Sequence, residues 1–339
     1  MDRNLVVLPP LGDGLVLLPP RMVRAAGPAA ESVYEEFLFG SVANQNTREA
    51  YARSVHQFSK WIEAEFGDSI ELAMITPRMV RAYLDSRKCA IATKKLRLSA
   101  LRHFFDVCVT RHVVMLNPAL SVRGERYSQE EGRTPEITKV GCHELLKSIE
   151  RNTIVGKRDT AIISMFIYTA ARVSSVAGLE VGDFYGNGGQ WMLHFREKGG
   201  KMREIPVRHS LQEVIQDYLL AAGIDAILER NEPMFRTRLR NRGGKRDEVT
   251  GKKVPELSTR MMTRIDIARM LKRRLKLAGL GGQISAHSFR VTTITDLLEQ
   301  SIPLEDVQRL AGHADPRTTR LYDRRKQQIT RNIVERITI

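Results

Sequence analysis

The 339 residues are long for one core and suit two domains with a linker and a tail. Fifty-four Lys+Arg against 39 Asp+Glu leave a formal charge of +15, spread along the chain. That balance attracts polyanions and points to a DNA-facing surface more than to a basic tail, with a merely soluble basic protein as the bland alternative.

Cys89, Cys108 and Cys142 are odd in number and unmatched in spacing, which implies reduced cytosolic thiols and no disulfide framework. The apolar start, Leu5 to Pro20, is broken by Pro9, Pro10, Asp13, Pro19 and Pro20 before a membrane span or signal core accumulates. Within it, Leu5-Val-Val-Leu-Pro-Pro and Leu15-Val-Leu-Leu-Pro-Pro echo one another. Paired prolines favour extended backbone, so residues 1–35 read as an extended or disordered arm with a candidate docking role.

A helical module follows over 36–122. Asn46 with Glu49 makes a capping box, and Tyr51, Val55, Phe58 and Ile62 form one apolar stripe. Thr76 as N-cap, with Pro77 at the first helical position, starts a second helix that buries Val80, Tyr83 and Leu84. The third runs from about Ala92 to Thr110, with Leu98, Leu101, Phe105 and Cys108 inward and Lys94, Lys95, Arg97 and Arg102 supplying positive charge. Such a charged side is usually just solvated, but a module this basic equally suits lying along phosphates.

Residues 123–135 are polar, contain two glycines and lack a hydrophobic period, which reads as an interdomain linker. Beyond it the pattern predicts a helix around Gly141 to Glu150 and an apolar helix from Arg158 to Thr169. A short hairpin over Trp191–Phe195 and Glu204–Val207 comes next, then a helix carrying Leu211, Val214, Ile215, Tyr218 and Leu219. A basic loop, Arg236 to Val254, precedes helices starting near Ser258.

Three parts of this second domain hold residue types that suit one reaction. Thr169-Ala-Ala-Arg172 places an arginine just after an apolar helix, although alone it reads as a surface or ion-paired residue. The turn Glu197-Lys198-Gly-Gly-Lys201-Met-Arg203 joins strands, so it is not a phosphate loop, which would lead into a helix. It reads either as a solvated turn or as a flexible tip that swings a lysine into a site. The third part is His287-Ser-Phe-Arg290, then Gly312-His313, then Tyr322. A zinc reading of the two histidines lacks a third ligand at the right spacing.

At these residues the sequence resembles the tyrosine recombinase, or phage integrase, family, whose signature is His-x-x-Arg, then Gly-His, then Tyr. Ala170-Ala-Arg172-Val-Ser resembles its first-arginine motif, Lys198-Gly-Gly-Lys201-x-Arg203 its lysine motif, and residues 41–120 its helical core-binding domain. The resemblance implies a mainly α fold with a small β-sheet (α+β): a helical core-binding domain and a catalytic domain over 136–339 with a C-terminal tail, closing as a clamp on duplex DNA. It implies catalysis by Arg172, Lys198, His287, Arg290, His313 and Tyr322, with Tyr322 as nucleophile.

Each residue type has a physical reason. Two guanidinium forks suit the non-bridging oxygens of a phosphodiester. A histidine draws the proton from the tyrosine hydroxyl, an ammonium protonates the departing 5′ oxygen, and His313 donates one hydrogen bond to the phosphate. Lys94, Lys95, Arg97, Arg102, Lys201 and Arg203 are candidate DNA contacts. No metal or cofactor is expected, because the arginines supply the charge stabilisation. The resemblance further implies recombination between two double-stranded DNA sites through a 3′-phosphotyrosine and a Holliday junction, and a homotetramer on DNA that is a monomer or weak oligomer when free. It also implies a cytoplasmic, nucleoid-associated setting and a link to mobile genetic elements.

Three departures stand out. Where the family commonly has Ser-Glu after the first arginine, this chain has Ser174 and Ser175, so a bracing carboxylate is missing or comes from elsewhere. Val291 and Thr292 replace a common His-Thr, and the 236–254 loop is long. The rival readings are a type IB topoisomerase-like or telomere-resolvase activity, and a catalytically silent sequence-specific DNA-binding protein.

Overall fold

The computed structural model describes residues 18–125, 134–197, 200–239 and 255–322. Contacts divide the chain into two units, with the boundary between Ser128 and Gln129.

The first unit is helical. Helices α1 (Arg21–Ala25) and α2 (Pro28–Glu35) lead through a π-turn, Glu36–Gly40, to α3 (Gln45–Phe66), α4 (Pro77–Ser86) and α5 (Ile91–Thr110). The extended or disordered arm expected over 1–35 therefore fails from Arg21 onward, while residues 1–17 lie outside the described residues. The prolines there start helices instead of breaking them: Pro20 is the N-cap of α1 and Pro28 opens α2, where a missing N–H costs no helical hydrogen bond. Met22, Val23, Ala30, Val33 and Tyr34 are buried in the same core as α3 and α5.

Helix α3 also starts earlier than its sequence suggests. Its cap is Asn44, whose side chain accepts from Thr47 N at 3.2 Å, so Asn46 lies inside the helix and the Asn46/Glu49 box does not form. Arg48 fixes this entry by donating to Val42 O at 3.0 and 3.3 Å. Thr76 caps α4 with Pro77 first in the helix, and Val80, Tyr83 and Leu84 are buried. Phe58, Tyr83, Phe104 and Phe105 are wholly buried, each worth about 1.5–3 kcal/mol of apolar transfer, and Phe58 meets Tyr83 edge-on at 5.2 Å.

The basic side of α5 is largely engaged within the unit. Lys94 pairs with Glu125 at 2.9 Å, and Arg97 lies over the Tyr83 ring. Arg102 donates to Ala119 O at 3.2 Å and Val122 O at 2.5 Å, which ties the following turn to the helix.

In the second unit, α6 (Lys139–Lys147) precedes α7 (Ile154–Thr169), whose Ala161, Ile162, Ile163, Met165 and Phe166 are all fully buried. After α8 (Val173–Ala177) comes an antiparallel sheet of three strands, β1 (Phe184–Asn187), β2 (Gln190–Arg196) and β3 (Met202–Pro206), one more than the hairpin expected. The extra strand is short and contains a glycine, which weakens its sequence signal, but Phe184 pairs with Leu193 and Leu193 with Ile205 on the core face.

Helix α9 (His209–Ala221) follows, then β4 (Arg236–Arg238), β5 (Leu257–Met261), α10 (Arg264–Leu277), α11 (Ala286–Glu299), α12 (Leu304–Ala311) and α13 (Pro316–Arg320). Ser258 thus lies in a strand, not at a helix start. Strand β4 offers a pairing edge, Thr237 and Ser258 bridge the pair at 2.7 Å, and the helix waits for the Thr263/Asp266 capping box. Arg236–Arg238 of the expected basic loop is that strand, and 240–254 lie outside the described residues.

The buried Asp159 carboxylate accepts from Arg158 and Arg274, both at 2.7–2.9 Å at closest, and locks α7 to α10. Cys108 and Cys142 are buried, and burial pushes their thiols up to about 12 and about 11. Among the described residues no helix is long and apolar enough to cross a membrane.

Candidate active site

Four chain segments of the second unit bring the motif residues together. Helix α7 ends at Ala170 in the left-handed region, φ 50°, and this turn places Arg172 at the start of α8. Ser285 caps α11 in a reciprocal box with Ser288, and His287 and Arg290, three residues apart, share a face of its first turn. Helix α12 ends at Gly312, φ 64°, and His313 follows with its N–H on Gln308 O. Asp315 caps α13 by accepting from Arg317 N at 2.8 Å, and Tyr322 comes just past that helix.

Arg290 is 2% exposed, and its two terminal nitrogens donate to Ala170 O at 2.5 Å and Ala311 O at 2.6 Å. It thereby pins the ends of α7 and α12 to α11. Burial, then repulsion from Arg172, lowers its pKa to about 10, so it stays cationic at neutral pH.

The Tyr322 hydroxyl lies 3.2 Å from His287 Nε2, and the Tyr322 ring stacks on His313 with centroids 5.8 Å apart. Tyr322 is 7% exposed among Ala170, Val291, Ile294 and Val307. Burial raises its pKa, while Arg290 and Arg172 oppose the rise. Desolvation, then Arg290 and Arg172, holds His287 below the ordinary histidine value, so it is a neutral acceptor at neutral pH. The same causes bring His313 down to about 3, and its Nδ1 is 2.9 Å from the buried Thr319 hydroxyl.

Arg172 keeps 36% of its side chain exposed, pairs with Glu197 Oε2, and reaches Gly312 O at 3.4 Å. Lys198 lies outside the described residues. Lys201 is exposed, and its carbonyl accepts from Glu197 N at 2.7 Å to close the turn. Arg203, expected among the DNA contacts, is instead buried. It donates to Thr169 O at 3.2 Å, to Leu310 O and to Glu197 Oε1 at 3.0 Å, and its guanidinium covers the Phe195 ring. Its place opposite Phe195 on the core side of β3 turns it inward.

Two participants escaped the sequence reading. Glu197 is the carboxylate beside Arg172, whereas Ser175 is a buried helical residue whose N–H bonds Arg172 O. The available signal was an acidic residue flanked by Arg196 and Lys198 at the tip of a basic hairpin. Thr319 is the other, a hydroxyl one helical turn before Tyr322. Of the remaining departures, Val291 fills the core, and Thr292 Oγ1 bonds Ile137 N and O at 3.0 and 2.8 Å, fastening the start of the unit to α11.

The fold is that of the site-specific DNA recombinases. Solved structures with this fold include the XerH site-specific recombinase bound to palindromic difH substrate in a post-cleavage complex (TM-score 0.61, 18% identity, covering 86% of this chain and 79% of that one). Another is a lambda integrase dimer bound to a COC′ core site (TM-score 0.61, 17% identity, 88% and 77%). The phage integrase family model matches residues 136–328, and the phage integrase N-terminal SAM-like domain matches 33–112. Tyrosine recombinase XerC of Chlamydia trachomatis serovar L2 is 30% identical over 241 residues, 71% of this chain and 69% of that protein. The chain belongs to the phage integrase family, the tyrosine recombinases, and is an enzyme that cleaves and rejoins DNA in site-specific recombination.

Proposed function

We propose that the chain recombines two double-stranded DNA sites through a covalent 3′-phosphotyrosine on Tyr322, using Arg172, Lys198, His287, Arg290 and His313 from the same protomer. The observation that carries this reading is the Tyr322 hydroxyl held 3.2 Å from a neutral histidine beside Arg290. Tyr322 Oη attacks the scissile phosphorus while its proton passes to His287 Nε2. Arg172 and Arg290 hold the non-bridging oxygens as negative charge builds, each with N–H donors left over from its protein contacts.

The bond from phosphorus to the 5′ oxygen breaks, and Lys198 protonates that oxygen. His313 is neutral, so it gives the phosphate one N–H from Nε2 when the Thr319 hydroxyl donates to Nδ1. The 5′ hydroxyl of the partner duplex then attacks the phosphotyrosine, which releases Tyr322 and builds the Holliday junction. The 3.2 Å approach of the Tyr322 hydroxyl to His287 Nε2 within one protomer supports cleavage in cis, with a homotetramer on paired sites supplying the four cuts. A chromosomal or mobile-element junction in the nucleoid is the substrate this chemistry serves.

The experiment is covalent trapping on sheared DNA from the source genome, followed by sequencing of the attached fragments and mass spectrometry of the DNA-linked peptide. The expected result is enrichment of paired inverted repeats joined to the peptide that contains Tyr322. Recovered sites, placed on two duplexes, should yield exchanged strands. Relaxation of a supercoiled plasmid without exchange would favour the topoisomerase-like alternative, and absence of any adduct would favour a silent DNA-binding protein.

A further inference from the structure

The buried carboxylate of Glu197 has a place in the site that the six motif residues do not explain. Both oxygens are engaged, Oε2 by Arg172 and Oε1 by Arg203 at 3.0 Å, and the side chain is 4% exposed. Arg203 is in turn fixed to the backbone where α7 and α12 end, through Thr169 O and Leu310 O. The carboxylate also packs against Gly312, where an added Cβ would meet Glu197 Oε2 at 2.9 Å and Arg203 Cδ at 3.2 Å. Arg172, by contrast, is held by Glu197 and, at 3.4 Å, by Gly312 O, and the rest of its side chain is partly open. A flexible cation is thus tethered on its inner side and free on its outer side.

We propose that Glu197 is a positioning residue: with Arg203 it sets Arg172 in its phosphate-binding pose before DNA arrives. This rests on the reading of Arg172 as a phosphate ligand. Three guanidiniums, those of Arg172, Arg203 and Arg290, crowd the site, and one carboxylate between two of them offsets their repulsion. An arginine frozen in advance loses no rotamer freedom at the moment of reaction, an effect of about 10- to 30-fold in rate. Glutamine at 197 keeps the shape and one acceptor oxygen but drops the charge and turns an N–H donor toward one of the two arginines, so the hold on Arg172 weakens to a neutral hydrogen bond and the contact with Gly312 O.

The test measures single-turnover cleavage at saturating DNA on nicked duplexes carrying the site recovered by covalent trapping. If wild-type protein forms no adduct, the recombination reading itself has failed. With wild type active, Glu197→Gln is expected to cleave up to about 10- to 30-fold more slowly while DNA affinity changes less than about 3-fold. Glu197→Asp, which restores the charge, should recover part of the loss. Because Glu197 acts through Arg172, the double variant Arg172→Ala/Glu197→Gln should cleave no more slowly than Arg172→Ala alone.

A neutral methylphosphonate at the scissile position removes the charge that Arg172 meets, so it should shrink the Arg172→Ala and Glu197→Gln defects together. A bridging 5′ sulfur, which leaves without a proton, should not rescue Glu197→Gln, separating this role from that of its neighbour Lys198. Multiplying defects in the double variant, rescue by sulfur, or Glu197→Gln within 2-fold of wild type would each overturn the proposal. Should Glu197→Gln fail to fold, nitrogen-15 NMR of arginine side chains in the DNA-free Glu197→Asp protein decides: the Arg172 guanidinium rotates slowly in wild type and faster in the variant, and equal rotation refutes the tether.

Discussion

Replacing Tyr322 by phenylalanine deletes one oxygen and leaves the ring where it packs, against His313 and among Ala170, Val291, Ile294 and Val307. The structural loss is the 3.2 Å hydrogen bond to His287, a residue with solvent access that recovers a water in its place, and the hydroxyl's interaction with the Arg290 guanidinium. One such bond is worth about 0.5–1.5 kcal/mol net, which for a unit of this size lowers the unfolding midpoint by about 1–6 °C. DNA affinity should stay within about 3-fold, because Arg172 keeps its charge and its contacts with Glu197 and Gly312 O, and Arg290 its charge and its backbone anchors. Cleavage, however, should lose its proposed nucleophile altogether. On a nicked suicide substrate, whose short 5′ fragment diffuses away after cutting, wild type should accumulate a band resistant to denaturation and Tyr322→Phe should give none. An adduct of wild-type yield in the phenylalanine protein would refute Tyr322 as nucleophile. A midpoint lowered well beyond that range would show that the hydroxyl holds the fold together.

Four other outcomes follow from the same geometry. The folded-state pKa of His287 lies below its unfolded value, so single-turnover cleavage should be level above about pH 6.5 and fall only below it, as a proton takes Nε2. His287→Gln should abolish that acid limb, and an unchanged limb would move the proton acceptor elsewhere, though not to His313, which titrates near 3. Lys198→Ala should cleave ~10²- to 10⁴-fold more slowly and be rescued by a bridging 5′ sulfur, while Lys201→Ala is milder; rescue of Lys201→Ala alone would shift the acid along the turn. Arg102→Ala releases Ala119 O and Val122 O and should destabilise the first unit by about 1–3 kcal/mol in urea titration, with little change in the salt dependence of DNA binding; a lower salt slope at unchanged stability would make Arg102 a phosphate contact. Cleavage should persist in EDTA, since the arginines meet the phosphate charge, and loss restored by a divalent ion would overturn that reading.

What the sequence by itself determined was local and short in range. Thr76-Pro77 starts α4, Arg172 follows the apolar helix that ends at Thr169, and the segment after Arg196 turns between two strands; each is settled by neighbours within a few residues, so spacing and capping chemistry suffice. The inward stripe of α5 was legible for the same reason, since helical period alone sorts Leu98, Leu101, Phe105 and Cys108 to one face. The tertiary structure decided what depends on a distant partner. Prolines at 20 and 28 are equally at home in an extended arm or at helix starts, and only the core that Met22, Val33 and Tyr34 reach selects the helices. Ser258 is a strand residue because β4 offers it an edge. Arg203, a plausible DNA contact by composition, is turned inward by its strand register, and Glu197 finds Arg172 only because β2 ends where α7 and α12 end, although Arg172 and Gly312 are 140 residues apart. A charged side chain carries no mark in the sequence of the partner it will meet, because long-range ion pairs are fixed by where the backbone brings the charges once the cores have packed.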